Sequence, residues 1–146
     1  MTDITNLSTV NVAISDYIAV VTMNNPPVNA QNRQFQHDLT LAFDVLSDRD
    51  DVRSIVLTGA GKCFSAGADI KGRASQKSNL GDHWGHSRRV RECFYSVMEC
   101  KKPVIAAING AALGAGLAVA ASADILIASE SASTVSYTHL TLPTNS

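Results

Sequence analysis

Two clusters of small side chains constrain this chain more than any other feature: Ala66-Gly67-Ala68 and Gly114-Ala115-Gly116. Each follows a short apolar run that reads as a buried strand. Ile55-Val56-Leu57 is apolar at consecutive positions, as in a strand covered on both faces, and residues 104–108 repeat the pattern. Each cluster also stands where a helix is expected to begin. The first N–H groups of a helix have no intrahelical acceptor and lie at the positive end of its dipole. Small side chains let a ligand oxygen approach them closely. Asp69, beside the first cluster, is placed to cap the helix that follows. Two such donors converging on one oxygen make an oxyanion hole.

The rest of the chain supplies a frame for these turns. Val10, Val12 and Ile14 alternate with polar residues, Ser15-Asp16 can turn, and residues 17–23 are rich in β-formers, which predicts an antiparallel hairpin. Asn24-Asn25-Pro26-Pro27 ends it. Phe35, Leu39, Phe43 and Leu46 then recur at helical spacing, followed by a strand over residues 52–58. Residues 75–85 are polar and contain glycine, which predicts a loop without a packed face. Val90, Cys93, Phe94, Val97 and Met98 form the apolar stripe of a helix ending near Pro103. Residues 111–121 are the most apolar stretch; Ser122 and Asp124 cut it short of a membrane span, so it reads as a buried helix, with a strand over residues 125–128 after it. No internal sequence repeat is visible.

Composition narrows the function classes. The chain has 146 residues, 45% of them hydrophobic, and a formal net charge of −1, which suits one α/β domain with a real core. Nothing in that balance points to nucleic acid, and the run Arg88-Arg89-Val90-Arg91 is short enough for a solvated helix face. The N-terminus has neither a basic start nor an apolar segment, so the expected location is cytoplasmic, with no membrane partner. Cys63, Cys93 and Cys100 form no Cys-x-x-Cys pair, which fits reduced thiols.

Phe64-Ser65-Ala66-Gly67-Ala68-Asp69-Ile70, together with Lys102-Pro103-Val104-Ile105-Ala106-Ala107-Ile108-Asn109-Gly110-Ala111-Ala112-Leu113-Gly114-Ala115-Gly116, resembles the crotonase superfamily, the enoyl-CoA hydratase/isomerase family. Pro27-Val28-Asn29-Ala30 and Ala123-Asp124-Ile125 add a third and a fourth motif in the right order, and the resemblance runs over residues 10–133. It implies an α/β spiral of repeated ββα units, of which this chain would hold the N-terminal part, assembled in the full-length protein as a homo-trimer or hexamer. It also implies that the main-chain amides of Ala68 and Ala115 hold the thioester oxygen of an acyl-CoA as it becomes an enolate. By the same resemblance Asn29, Ala30, Ser65, Ala66, Gly67, Asp69, Ile70 and Gly114 border the substrate. No permanently bound cofactor and no metal is expected; coenzyme A arrives as part of the substrate. One oxyanion donor is worth about 3–4 kcal/mol in the transition state of acyl transfer.

Family members that hydrate a double bond use two glutamates, one of them three residues after the second oxyanion amide. Here that position is Ala118. Alanine can neither activate water nor donate a proton, and such groups contribute roughly 100- to 10,000-fold. A reaction run on one carboxylate, such as shifting the double bond of an enoyl-CoA, is therefore the better expectation. The other family glutamate follows a Phe-Gly-x-Pro-Glu-like segment expected beyond Ser133. From Thr134 the chain departs from that pattern, so residues 1–133 are expected to be an incomplete crotonase-like core, a truncated copy, and residues 134–146 a non-native tail. The alternative is a catalytically inactive acyl-CoA-binding fragment or subunit.

Competing motifs are weaker. Asp82, His83 and His86 offer three ligands in a short segment, yet no further cluster completes a four-ligand zinc site, so they are expected beside the acyl pocket or on the surface. Ser65 is not in a Gly-x-Ser-x-Gly elbow and reads as structural. Gly114-Ala115-Gly116 imitates a dinucleotide fingerprint, but Val119 stands where glycine or alanine is wanted. Glu99 and Glu130 receive no catalytic role.

Overall fold

The computed structural model describes residues 2–74 and 79–136. Its chain opens with the expected hairpin, β1 (Val10–Ser15) antiparallel to β2 (Ile18–Met23), with Val12 opposite Val21. The two turn residues, Asp16 and Tyr17, both have positive φ, 50° and 65°. That is the twist a two-residue hairpin connection requires.

From β2 onward the chain winds. The main sheet has the order β1-β2-β4-β7-β9, where β4 (Ser54–Gly59), β7 (Val104–Ile108) and β9 (Ile125–Ala128) each lie parallel to the strand before them. Every crossover carries a short strand and then a helix. The first contains β3 (Ala30–Gln31) and α1 (Arg33–Ser47). The second contains β5 (Cys63–Ser65), β6 (Gly67–Ala68), α2 (Ile70–Ala74) and α3 (Leu80–Met98). The third contains β8 (Ala111–Leu113) and α4 (Ala115–Ala121). β10 (Thr134–Val135) follows β9 and joins β8 and β5 in a second sheet of order β10-β8-β5. This is the N-terminal part of a ββα spiral.

Burial explains why the winding holds. Phe35, Leu39, Phe43 and Leu46 on one stripe of α1 are fully buried, in one cluster with Val21 and Met23 of β2, Ile55 and Leu57 of β4, and Phe64 of β5. Each side chain of that size contributes about 1.5–3 kcal/mol on leaving water. Asn32 caps α1, its Oδ1 accepting from the Phe35 amide at 2.9 Å.

Two expectations need correction. The loop predicted for residues 75–85 is helical from Leu80; its residues 75–78 lie outside the described residues. Asn79 and Asp82 form a reciprocal capping box that starts α3. Gly81 and Gly85 are tolerated inside it at a cost of about 1 kcal/mol each. The first turns bury no side chain in the core, since only Cys93 and Val97 of α3 are buried. Hydrophobic periodicity therefore had nothing to register there. The single buried helix expected over residues 111–121 is instead strand β8, a break at Gly114 (φ 53°, ψ −116°), and a seven-residue helix. Gly110 explains part of this, because a Cβ there would fall on the Lys62 carbonyl oxygen, so the chain is drawn against β5 and pairs with it.

Of the proposed tail, Thr134 and Val135 pair with Ala112 and Leu113, and residues 137–146 lie outside the described residues. Among the described residues no helix is long and apolar enough to cross a membrane.

β9 closes the described main sheet on one side only. Its Ile125, Leu126 and Ile127 are 52%, 47% and 61% exposed. An open strand edge carrying exposed apolar residues templates further pairing. The 146-residue chain on its own is expected to self-associate at tens of micromolar (roughly), and Ile127→Lys to shift it toward monomer, as light scattering after gel filtration will report. Unchanged association in the lysine variant would exclude this edge as the contact.

Candidate active site

Asn29 is the joint from which the site is built. It is 2% exposed, and its positive φ of 53° is a conformation that asparagine adopts more readily than most residues. Its Nδ2 group donates to three carbonyl oxygens, Ala60 at 3.2 Å, Cys63 at 2.9 Å and Phe64 at 3.2 Å, while its Oδ1 accepts from the Asn25 amide at 2.9 Å. One side chain thus ties the loop before β3 to the first two residues of β5 and to the turn that precedes it. Ser65 answers from the other side. Its hydroxyl donates to the Asn29 carbonyl at 2.7 Å and accepts from the Gly67 amide at 3.2 Å. Ser65 is wholly buried, so its side chain serves the frame. Ala66 adds an amide bond to the Val28 carbonyl at 2.9 Å.

On this frame β3 and β6 lie parallel, Ala30 beside Gly67 and Gln31 beside Ala68. Gln31 extends the frame to the next turn of the spiral, its Nε2 donating to the Ala115 carbonyl at 3.0 Å. The contact between turns is close at Gly67, where φ is +87°. A Cβ there would stand 2.6 Å from the Leu113 oxygen and 3.1 Å from the Ala115 nitrogen. Gly116 is equally confined, because a Cβ on it would fall on the Ser65 oxygen. The two small-residue clusters, 48 positions apart in the sequence when counted from Gly67 to Ala115, therefore meet backbone to backbone. Gly114 turns the chain there with positive φ, and Ala115 is the first residue of α4.

Asp69 and Ile70 follow β6 and open onto a cavity of about 490 Å³. Asp69 caps α2, its Oδ1 accepting from the Gly72 amide at 3.0 Å. The cavity lies among β3, the start of α1, α2 and the first turns of α3, and Gln31 and Asp69 belong both to it and to the junction of the clusters. His83 and His86 line it too, as members of α3 and not of a loop. Burial, and after it Arg73, Arg89 and then His83, push the His86 imidazole below its ordinary range. Among the described residues no group of three His, Cys, Asp or Glu side chains is arranged to hold a metal ion. The three cysteines are free thiols, and burial pushes Cys93 up to about 12.

The structure brings the residues expected to hold or border the substrate to one region: Ala30 beside Gly67 and Ala68 in a strand pair, Asn29, Ser65 and Ala66 next to it, Gly114 and Ala115 across from it, and Asp69 and Ile70 at the cavity. Sequence reading missed Gln31, the buried link between turns, and, although it expected Asp82, His83 and His86 beside the acyl pocket or on the surface, their setting on helix α3 with Arg89. Asp82, His83, His86 and Arg89 recur at helical spacing, which was the available signal.

A parallel sheet wound through ββα turns, with two small-residue turns in backbone contact, defines the crotonase class of fold. The family described as Enoyl-CoA hydratase/isomerase matches residues 13–142. The chain belongs to that family. A probable enoyl-CoA hydratase from Bacillus subtilis is 39% identical over 126 residues, 86% of this chain and 48% of that protein. A Rhodobacter capsulatus protein of the same description is 38% identical over 125 residues, 85% of this chain and 47% of its own. The crystal structure of an enoyl-CoA hydratase from Bacillus anthracis superposes with a TM-score of 0.84 at 31% identity, covering 92% of this chain and 53% of that one. The chain spans about half the length of the curated relatives it matches.

The frame makes a sharp prediction. Asn29→Asp keeps shape and backbone preference but turns a carboxylate oxygen toward three carbonyl oxygens. It is expected to lose about 2–3 kcal/mol at pH 7. The new carboxyl would have its folded pKa raised above the unfolded value of about 3.9. The loss relative to the parent is then smallest below that value and grows as pH rises through the folded pKa. Urea unfolding of both proteins at pH 4 and pH 7 measures it, and an equal difference at both pH values would refute the assignment.

Proposed function

We propose that this chain binds an acyl-CoA thioester and holds its carbonyl oxygen between the main-chain amides of Ala68 and Ala115, so that charge developing on that oxygen as an enolate is stabilised. The observation that carries the reading is the approach of Gly67, next to Ala68, to the turn before α4, where a Cβ would stand 2.6 Å from the Leu113 oxygen and 3.1 Å from the Ala115 nitrogen. Ala115 as the first residue of α4 has no intrahelical acceptor for its N–H, and the helix dipole favours negative charge there. Ala68 is exposed at the edge of its strand. Asn29, Ala30, Ser65, Ala66, Gly67 and Gly114 hold these two amides in place, and Asp69 and Ile70 border the bound ester. The relatives described as probable enoyl-CoA hydratases support the acyl-CoA substrate class. On this reading coenzyme A enters with the substrate, no resident cofactor is needed, and the complete protein works in the cytoplasm as a trimer or pair of trimers.

Proton transfer favours a narrower chemistry. Ala118, one turn beyond Ala115 in α4, is half-buried and offers only a methyl group. Hydration by two carboxylates is disfavoured, and a double-bond shift using one carboxylate is the proposed reaction class for the complete protein. The same Ala118 favours a second reading, an acyl-CoA-binding chain without turnover. Crotonyl-CoA turnover measured beside simple binding separates the two.

A conjugated aryl-enoyl-CoA reports the oxyanion site directly, because its absorbance moves to longer wavelength when the thioester carbonyl is polarised. Proline is tolerated at the first position of a helix and removes only the N–H. Ala115→Gly is expected to keep the shift. Ala115→Pro is expected to abolish it and to weaken binding about tenfold, with an unchanged circular dichroism spectrum. Retention of the shift in the proline variant would sink the oxyanion assignment, and failure of the parent chain to bind any ester would sink the substrate class.

A further inference from the structure

The cavity beside the proposed thioester site is lined for an anion and not for an alkyl chain. Arg33, Arg73 and Arg89 reach it from α1, α2 and α3, and among the described residues none of the three is in an ion pair. Its two carboxylates each have an oxygen committed to a helix cap, Asp69 to the Gly72 amide at 3.0 Å and Asp82 to the Asn79 amide at 3.1 Å. Ile70 and Ala74 are its aliphatic members, and Ile70 is 66% exposed.

Two polar atoms in its wall are buried without a partner among the described residues: Gln36 Oε1 and Arg89 Nε. Gln36 is only 4% exposed. A buried unpaired polar group costs about 1–3 kcal/mol, so both atoms favour a ligand that meets them. Arg89 Nε is a donor and takes a carboxylate oxygen. Gln36 Nε2 reaches the Gln31 carbonyl at 3.5 Å, a long contact. Gln36 Oε1 is an acceptor, so a donor group and not the carboxylate would meet it. The depressed titration of His86, caused after burial by Arg73, Arg89 and His83, reports the same surplus of positive charge.

We propose that this cavity receives the distal end of an acyl group that ends in a carboxylate, so that the substrate class is a dicarboxylic acid mono-thioester of coenzyme A. The proposal rests on the thioester reading of the adjoining site. Arg89 grips the carboxylate, and Arg73 and Arg33 supply the surrounding field. A phosphate of the coenzyme shares the anionic chemistry, and the test separates it.

The saturated esters glutaryl-CoA and hexanoyl-CoA are titrated calorimetrically into the chain at low salt. They carry the same coenzyme and acyl chains of similar reach. Glutaryl-CoA is expected to bind about tenfold tighter or more. Arg89→Leu and, separately, Arg73→Leu are expected to remove that advantage while leaving hexanoyl-CoA affinity within about twofold. The comparison of esters on the parent chain needs no variant to fold. Equal or tighter binding of hexanoyl-CoA overturns the inference and leaves the thioester site standing. Equal weakening of both esters by the arginine variants also overturns it, assigning the arginines to a coenzyme phosphate. Binding of neither ester overturns the thioester reading itself.

Discussion

The contact between successive turns of the spiral depends on hydrogen atoms standing where Cβ atoms would otherwise be. At Gly67 and Gly116 the backbones of β6, β5 and α4 press against each other at distances that alanine would violate. Positive φ at Gly67 adds a conformational reason for the same residue type. The site is thus a by-product of packing. On the proposed reading, the amides of Ala68 and Ala115 lie beside this point of touching, and their small side chains leave room for a ligand oxygen. Any larger residue at Gly67 would push β6 away from Leu113 and Ala115 and destabilise the fold.

Asn29 and Gln31 turn that contact into a fixed geometry. Both are buried polar side chains whose partners are almost entirely main chain. Such bonds contribute modestly when made and are costly when broken, about 1 kcal/mol against 1–3. Their greater effect is on position. With the carbonyls of Ala60, Cys63 and Phe64 held by the Asn29 side chain and the Asn29 carbonyl held by Ser65, the loop before β3 and β5 keep one relative position. The proposed oxyanion site would need such constancy, to within a few tenths of an ångström.

The sequence was most legible where local chemistry and long-range packing agreed. The hairpin, α1, and strands β4 and β7 announced themselves by periodicity because each has a face or two faces in the core, whereas β9 was legible from its apolar composition alone, its residues being exposed in the structure. Both small-residue turns were visible as runs of small side chains after an apolar strand, four at residues 65–68 and three at residues 114–116. What failed were elements whose role is not core burial. The first turns of α3 face the cavity with Asp82, His83 and His86, so they read as a loop. β8 and β10 are three and two residues long, too short for a period, and pair only with partners more than twenty positions away. Gln31 carried no signal at all, since a lone glutamine between a strand and a cap looks like surface until the next turn arrives over it. The structural repeat is likewise absent from the sequence, because each turn solves the same packing problem with different residues.

The order of the main sheet follows the order of the chain: β2, β4, β7, β9. No later strand is inserted between two earlier ones, although each must cross a helix to reach its place. A chain emerging from the ribosome can therefore lay down one turn at a time against a completed edge, in the manner of a rope being coiled on a deck. Sheets whose central strand comes last must hold a gap open until it arrives. Here the growing edge is always ready, which offsets part of the slowness that parallel pairing otherwise imposes.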